Sequence, residues 1–340
     1  MIESDPIRNR MLAVILALLV IAGLRASYAV TMPLAAAIVV IAAIWPIKPW
    51  LDRVLPSKVS YLITILVLLF ISVGFIGAVY FSTAQVVRAF GQNQDQFASI
   101  YTSLTDRAAQ WGLEGFGGQE GYARLIAFGQ TLLSNGYTVF VYLGFISILV
   151  ILGLPEVPAM GKKIRAALTA TDRRELIDTV DEIATKVRQY LGVTALTSLI
   201  TGVASALWAF AIGLELALVW GILNFLLNFV PVIGNFIGII PPTLYAIIQF
   251  QSVTMTLVVF FGFAGLQILV SNFIYPTLQG RSLALSPIAI VVALAFWGWV
   301  WGIAGALIAV PLTAAIVVIC AHFRGTEWIA RLLSTPQEPK

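Results

Sequence analysis

Neutral polar side chains stand out in the second half of the chain because nearly everything around them is apolar. Asn224 and Asn228 are four residues apart and therefore share one face of a helix. Asn235 follows in a run of turn-forming residues, and three more groups come near the end of the next apolar stretch: Gln267, Ser271 and Asn272. Such side chains suit the binding of a hydroxylated organic solute. The structural alternative is that each amide only bonds a neighbouring membrane helix, a contact worth about 0.6–2 kcal/mol.

Formal charge is almost absent from the same region, since only Glu215 and Arg281 are charged between residues 190 and 321. A charge at the centre of a membrane costs about 2.5–3.5 kcal/mol, so a buried acid usually serves transport. Glu215 is a candidate proton carrier if it is buried, and an ordinary acid if it lies at the outer surface. Arg281 either contacts an anionic group or lipid headgroups, or has a structural role. Carbonyls freed in broken helices bind Na⁺ in transporters, so Na⁺ or H⁺ coupling stays open.

Several kinds of chemistry are excluded by what the sequence lacks. The single cysteine, Cys320, rules out an internal disulfide framework and a cysteine-based metal site, and the single histidine, His322, rules out a histidine cluster. The chain has no Walker A loop, no dinucleotide-binding glycine pattern, no GxSxG and no HExxH. We therefore expect neither an enzyme nor a cofactor, and a gradient or facilitated diffusion must drive any transport.

The composition is that of a membrane protein. Hydrophobic residues make up 60% of the chain and charged residues 11%, whereas a soluble domain has about 25% charged residues. The apolar segments are continuous rather than alternating, which predicts an all-α polytopic protein and not a β-barrel. The net charge of +4 is modest, and seven Lys and Arg face five acids within 160–189. We therefore expect membrane lipids as neighbours and no nucleic acid.

The apolar segments predict about six full spans, at 11–28, 30–47, 59–81, 134–154, 191–212 and 253–275. A polar stretch after the third span is expected as a helical segment on the extracytoplasmic surface. The highly charged stretch before the fifth span carries an apolar stripe at helical spacing and predicts a cytoplasmic amphipathic helix. The predicted segments are N-terminal membrane helices 1–84, the extracytoplasmic segment 85–133, the fourth span 134–159, the amphipathic helix 160–189, a transport core 190–321 and a cytoplasmic tail 322–340.

The transport core is organised around a broken apolar stretch, 214–250. Turn-formers fall in its middle, namely Pro231, Gly234, Asn235, Gly238, Pro241 and Pro242. The flanking apolar arms have 17 and 13 residues, whereas a spanning helix needs about 20. We expect a re-entrant hairpin, which enters and leaves the membrane on one side. The alternative is two ordinary spans joined by a proline-rich surface turn.

A second broken stretch, 288–319, follows the last full span. The sequence WGWVWGIAG interrupts it and leaves two short arms, 288–296 and 303–319. The order is thus helix plus broken hairpin, twice, which predicts an inverted repeat of the kind that secondary transporters use. The tryptophans of the interruption are expected in an interfacial aromatic belt or between subunits, with a cation–π site as the alternative.

The distribution of basic residues predicts the orientation. If the N-terminus is cytoplasmic, 15 Lys and Arg lie on the cytoplasmic side and 4 outside, with Arg281 left uncounted. Two re-entrant hairpins then point in opposite directions and the C-terminus is also cytoplasmic. If each hairpin is instead a pair of full spans, the C-terminus is also cytoplasmic. The orientation therefore does not distinguish re-entrant hairpins from pairs of spans.

Three blocks carry a resemblance to a known family: LNFVPVIGNFIGIIPP at 227–242, NFIYPTLQGRSLALSP at 272–287 and GIAGALIAVPLTA at 302–314. The chain resembles the autoinducer-2 exporter family of permeases over nearly its whole length. The resemblance implies export of small solutes across the bacterial inner membrane, a role in quorum sensing for some members, and a homopentamer. Some members are assigned to the autoinducer-2 signal and others to sodium or lithium exchange for protons, so the substrate does not follow.

The leading hypothesis is a secondary transporter that exports a small polar solute by alternating access. The alternatives are a sodium or lithium/proton antiporter and a membrane scaffold that transports nothing. We expect ten residues around the break to line the path of the solute or ion: Asn224, Asn228, Pro231, Gly234, Asn235, Gly238, Pro241, Gln267, Ser271 and Asn272. Glu215 and Arg281 are the candidates for a proton or charge role.

Overall fold

The computed structural model describes residues 6–93, 96, 99, 136–167, 170–279, 285–322 and 325–334. Its secondary structure is helical, apart from an isolated antiparallel bridge between Leu285 and Ser334. The helices in chain order are α1 (Pro6–Ala26), α2 (Tyr28–Ile44), α3 (Ile47–Leu51), α4 (Ser57–Gln92), α5 (Gly136–Gly153), α6 (Glu156–Ala167), α7 (Ala170–Ala211), α8 (Ala217–Leu227), α9 (Ile233–Phe250), α10 (Val253–Leu269), a π-helical turn (Val270–Ile274), α11 (Tyr275–Gln279), α12 (Pro287–His322) and α13 (Glu327–Leu333).

The prediction of an all-α polytopic membrane protein is confirmed. Within the described residues, six stretches are long and apolar enough to cross a membrane: Tyr28–Leu51, Ser57–Gln92, Leu176–Ala211, Ile233–Phe250, Val253–Gln279 and Pro287–His322. A seventh exists if the bent pair Val141–Gly153 and Glu156–Ile164, with axes 51° apart, is one span. The number of spanning stretches matches the prediction. Two of the six, in α9 and α12, lie where the sequence predicted hairpins.

Two predicted spans, the first and the fourth, are not among these six. The first lies within α1 (Pro6–Ala26), a helix of 21 residues, whose described apolar stretch is Val14–Ala26. The fourth span ends at Gly153 and continues after a bend as α6, because a residue preceding Pro155 is disfavoured in helical conformation. The single helix α7, of 42 residues, contains both the second part of the predicted amphipathic helix 160–189 and nearly all of the predicted span 191–212. The extracytoplasmic segment 85–133 lies outside the described residues beyond position 99, and so do Arg281 and the end of the tail.

The chain divides into two compact units. Unit 1 contains Met1–Ile65, Leu143–Leu191 and Arg281–Lys340, and unit 2 contains Leu66–Tyr142 and Gly192–Gly280. Each unit holds one of the two predicted broken stretches. The first hairpin, built from α8 and α9, belongs to unit 2, and the second hairpin, built from α12, belongs to unit 1.

The first hairpin is antiparallel, with a base at 213–216 and 249–251 and a tip at 228–232. Contacts between α8 and α9 proceed in step from base to tip: Glu215 with Gln249, Trp220 with Tyr245, Asn224 with Gly238, and Leu227 with Gly234. The predicted break was too long, because Gly234, Asn235, Gly238 and Pro241 all lie inside α9. The second arm therefore has 18 residues instead of 13 and extends about 27 Å.

The tip of the first hairpin is a tight turn with an unusual backbone. The Ile233 amide donates to the Pro231 carbonyl at 2.7 Å, and the residue between them, Val232, has φ 64° and ψ −63°. These are the angles of the rare, strained form of γ-turn. A β-branched residue with positive φ is a genuine outlier, so this tip stores conformational energy that the hairpin packing must offset.

The second hairpin folds back at Trp301 and Gly302, which are the non-helical residues inside α12. The Trp297 indole Nε1 donates to Thr313 Oγ1 at 3.1 Å, whereas a straight helix would separate the two residues by about 24 Å. The arms are therefore 287–300 and 303–322. The predicted interruption was too long, because only Trp301 and Gly302 are non-helical, and Gly302 takes the positive φ of 65° that the reversal requires.

The tryptophans of the second hairpin have separate roles within unit 1. The Trp297 and Trp301 rings are buried and lie 4.8 Å apart, and Trp301 Nε1 donates to the Leu24 carbonyl and to Thr31 Oγ1, both at 3.2 Å. An interfacial belt was therefore the wrong prediction for these two. Trp299 is exposed and carries the Arg25 guanidinium 4.1 Å above its ring centre, a cation–π contact.

Candidate functional site

The centre of unit 2 is a hydrogen-bonded pair of amides, Asn224 on α8 and Gln267 on α10. Asn224 is fully buried and Gln267 is 4% exposed. Gln267 Nε2 donates to Asn224 Oδ1 at 2.8 Å, and we call these two residues the amide pair. The pair joins α10 to the first hairpin inside a membrane-spanning unit, where water does not compete for the bond.

A proline explains why Asn224 lies where it does. Pro242 of α9 has no N–H, so the Gly238 carbonyl one turn earlier cannot form its helical hydrogen bond. Asn224 Nδ2 donates to that carbonyl at 3.2 Å and to the Trp220 carbonyl at 2.9 Å. The prolines of α9 thus do not break the helix, because a side chain from α8 satisfies the backbone group that Pro242 frees.

Gly238 is required for the close approach of α9 to the amide pair. A Cβ atom at this position would lie 2.3 Å from Asn224 Oδ1 and 3.2 Å from Gln267 Nε2. The first of these distances is far below van der Waals contact, so no other residue fits without moving Asn224. Gly238 therefore sets the distance between α9 and the amide pair from inside a helix, and its place in a solute path stays a prediction.

A second polar contact lies about one helical turn from the amide pair. Asn235 Nδ2 donates to Ser271 Oγ at 2.6 Å, and Ser271 belongs to the π-helical turn Val270–Ile274. Single π turns inside helices are frequent at functional sites. Asn272, in the same turn, is exposed and donates to its own helix at the Ile268 carbonyl, so the structure leaves it outside the cluster.

The tip of the first hairpin is tied to α7. Asn228 Nδ2 donates to Ser198 Oγ at 3.0 Å, and Ser198 is fully buried. Pro231 lies in the turn itself, and Gly234 presses on α8 so closely that a Cβ there would lie 1.8 Å from the Leu227 carbonyl oxygen. Pro231 and Gly234 therefore shape the tip, and Asn228 anchors it.

Two buried oxygens of the cluster have no hydrogen-bond partner among the described residues: Gln267 Oε1 and Asn235 Oδ1. An unsatisfied polar group at membrane depth costs several kcal/mol. Both atoms are acceptors, so they suit a hydroxyl or another donor of a bound solute, or a monovalent cation. The described residues contain no group of three or more His, Cys, Asp or Glu that could hold a metal ion.

Glu215 lies at the base of the first hairpin and not beside the amide pair. Its carboxylate is exposed and accepts a hydrogen bond from the Tyr245 hydroxyl at 2.7 Å. The backbone of the base is held by side chains, since Gln249 Nε2 donates to the Gly213 carbonyl and Trp220 Nε1 to the Glu215 carbonyl. Glu215 therefore belongs to the ordered base of the hairpin.

Sequence reasoning missed three of these partners, Ser198, Tyr245 and Gln249. Ser198 belongs to a series of buried hydroxyl residues on one face of α7: Thr194, Thr197, Ser198, Thr201 and Ser205. Their helical spacing was readable in the sequence as a polar face on an otherwise apolar helix. Tyr245 and Gln249 gave no such signal, because their roles depend on how the hairpin folds back.

Comparisons with known proteins give a consistent result. A family model described as "AI-2E family transporter" matches residues 11–325. "AI-2 transport protein TqsA" of Escherichia coli (strain K12) is 30% identical over 204 residues, which cover 60% of this chain and 58% of that protein. A protein of Borreliella burgdorferi named "Putative transport protein" is 32% identical over 199 residues, which cover 58% of this chain and 52% of that protein. The chain thus spans about half the length of the curated relatives it matches.

Proposed function

The chain belongs to the AI-2E transporter family, and from that premise we propose that it is a secondary transporter that exports a small polar solute across the bacterial inner membrane. Alternating access around the first hairpin is the proposed mechanism. The orientation proposed from the basic residues places both termini in the cytoplasm. A homopentamer is proposed as the assembly, on the family resemblance.

One observation carries the proposal: Gln267 Oε1 and Asn235 Oδ1 are buried acceptors without a partner among the described residues. They belong to a neutral cluster inside a membrane-spanning unit, where an unsatisfied oxygen is expensive unless a ligand or water visits it. A hydroxylated solute supplies the donors that both oxygens lack. The relative from Escherichia coli is named for AI-2 transport, so a hydroxylated signal molecule is the first solute to test.

The test is efflux from proteoliposomes loaded with the radiolabelled solute. Replacing Gln267 by Met removes the unpaired oxygen at nearly constant volume, together with the bond from Nε2 to Asn224 Oδ1. Losing the hydrogen bond to the solute lowers the initial rate about tenfold. Asn272→Leu is the matched control, because that amide lies on the adjacent turn but bonds only its own helix. Equal rates for the two variants would reject the amide cluster as the solute site, and no efflux from folded wild-type protein would favour the scaffold.

A cation/proton antiporter is the second candidate, and the Glu215–Tyr245 hydrogen bond is the observation that favours it. Glu215 is the only acid between residues 190 and 321. It lies at the hairpin base, several helical turns from the unpaired oxygens of Gln267 and Asn235. This distance argues against the exchange of a cation and a proton at a single site. A trapped pH dye in proteoliposomes pulsed with Na⁺ and then Li⁺ tests it. A pH change lost in Glu215→Gln but kept in Glu327→Gln would make the antiporter the better proposal.

A further inference from the structure

We propose that α13 (Glu327–Leu333) is an interfacial helix that docks on the lipid bilayer. It inserts Trp328 and Leu332 at the boundary between lipid headgroups and acyl chains, and it thereby holds the open end of the second hairpin at the membrane surface. This surface belongs to unit 1 and is separate from the amide cluster, so the inference does not depend on the proposed transport function.

The helix α13 joins the two arms of the second hairpin at their open end. Before its first residue, Thr326 Oγ1 donates to the Cys320 carbonyl at 3.1 Å, near the end of the second arm. At its last residue, the Leu333 carbonyl accepts from the Ser286 amide at 2.9 Å, just before the first arm begins. Seven residues of helix extend about 10 Å, close to the 8–10 Å between the axes of packed helices. The helix therefore crosses from one arm to the other.

The open end of the second hairpin lies at a membrane surface. The second arm, 303–322, extends about 30 Å, which is the thickness of the hydrocarbon core. At the other end of this arm, Trp301 Nε1 donates to the Leu24 carbonyl and to Thr31 Oγ1, in the turn that connects α1 to α2. The tip thus reaches one surface, and α13 lies at the opposite one.

The two faces of α13 differ in exposure. Ala330 is 5% exposed and belongs to a buried apolar cluster that includes Val317 of the second arm. Trp328 and Leu332 are four residues apart on the opposite side of the helix, and they are 64% and 72% exposed. The buried face holds α13 on the hairpin, and the exposed apolar face is available for another contact.

The chemistry around this face matches the edge of a bilayer. Tryptophan is enriched at membrane–water interfaces. Arg331 is exposed and forms an ion pair with Glu327 at 2.6 Å, and a long basic side chain beside an apolar face can reach the headgroups. The neighbouring part of the second arm exposes Ile316 and Ile319, as expected of a helix in contact with acyl chains. Apolar residues thus face outward from the end of a membrane-spanning arm.

Two other features limit the kind of contact. The rest of the tail, TPQEPK at 335–340, has no large apolar side chain with which to cover Trp328 and Leu332. The charges of Glu327 and Arg331 cancel, and no other residue of 325–334 is charged. The insertion therefore depends on apolar area and needs no anionic lipid.

The test measures the depth of a nitroxide spin label in proteoliposomes. Cys320→Ala removes the only native cysteine, and labels are attached singly at Trp328→Cys and Leu332→Cys. Arg331→Cys is the matched control on the same helix, since Arg331 is exposed at the edge of the apolar face. Arg174→Cys is the aqueous reference, because Arg174 is exposed on α7 before the spanning stretch begins. Collisions with O₂, which concentrates in lipid, and with a nickel chelate, which stays in water, give the depth.

We expect the labels at 328 and 332 to lie about 5–10 Å into the boundary between headgroups and acyl chains, and the label at 331 to lie closer to water. The depths should be the same in phosphatidylcholine vesicles with and without phosphatidylglycerol. A depth that requires the anionic lipid would reject apolar contact as the cause of insertion.

Three other results would overturn the proposal. Labels at 328 and 332 that meet the nickel chelate as often as the label at 174 would show that this face lies in water. Labels that collide with neither reagent would show that a second copy of the chain covers the face. Equal depths at 328, 331 and 332 would show that the helix has no docking face. The readout needs no transported solute, so its outcome is independent of efflux.

Discussion

Replacing Gly238 by alanine tests the packing of the amide pair most directly. The new Cβ would lie 2.3 Å from Asn224 Oδ1, so Asn224 has to move by about 1 Å to restore van der Waals contact. That movement breaks two hydrogen bonds, from Gln267 Nε2 and to the Gly238 carbonyl. Each is worth about 0.6–1.7 kcal/mol between membrane helices.

The other contributions have opposite signs. Overpacking adds about 1–3 kcal/mol of destabilisation, and alanine regains about 1 kcal/mol over glycine in a helix. We therefore expect the free energy of unfolding of Gly238→Ala to fall by about 1–5 kcal/mol in total. Unfolding by SDS in mixed micelles, followed by tryptophan fluorescence, measures the change.

Gly265→Ala is the matched control, because Gly265 lies on α10 and the position that its new methyl group would take has no other atom within 4 Å among the described residues. This variant should be as stable as the wild type or slightly more stable. A double-mutant cycle adds Asn224→Ala, which removes the atom that the new methyl group strikes. If the two substitutions are additive, with coupling below about 0.5 kcal/mol, the contact does not explain the loss and the reasoning is refuted.

Four further substitutions test other parts of the two hairpins by the same unfolding measurement. Gly234→Ala should destabilise by more than Gly238→Ala, because it strikes the backbone of α8 instead of a side chain that can move; an equal or smaller loss would contradict the tip geometry. Val232→Gly should raise the free energy of unfolding by up to about 1 kcal/mol by relieving the positive φ, and a fall would show that the turn is unstrained. Trp297→Phe and Thr313→Val should each cost about 0.6–1.7 kcal/mol and show coupling in a double-mutant cycle; additive effects would argue against the bond between the two arms.

The sequence predicted the helices and the two fold-back points, because apolar length and turn-forming residues report directly on both. It misplaced the first break because prolines were taken as helix ends. Pro241 and Pro242 lie inside α9, and the carbonyl that Pro242 frees is satisfied by Asn224 from α8. That bond is a tertiary contact between α8 and α9, so no local sequence pattern predicts it.

The candidate site was predicted in part for a related reason. Amides in an apolar segment are conspicuous, and four of the five predicted amides, all but Asn272, hold contacts between elements. Ser82 and Ser205 are buried, and their hydroxyls have no hydrogen-bond partner among the described residues. They were not singled out, because a serine in a membrane helix usually bonds its own backbone. Only the packing reveals that their hydroxyls lack this bond.

The antiparallel pairing of α8 with α9 also has a consequence for biogenesis. Its contacts join residues no more than 36 positions apart, so the first hairpin can assemble as a local unit while the chain is still being synthesised. Asn224 Oδ1, however, receives its donor from Gln267, 43 positions later. A nascent chain that ends before α10 therefore has an unsatisfied amide oxygen in the membrane. The insertion of α10 supplies the donor that stabilises the hairpin there.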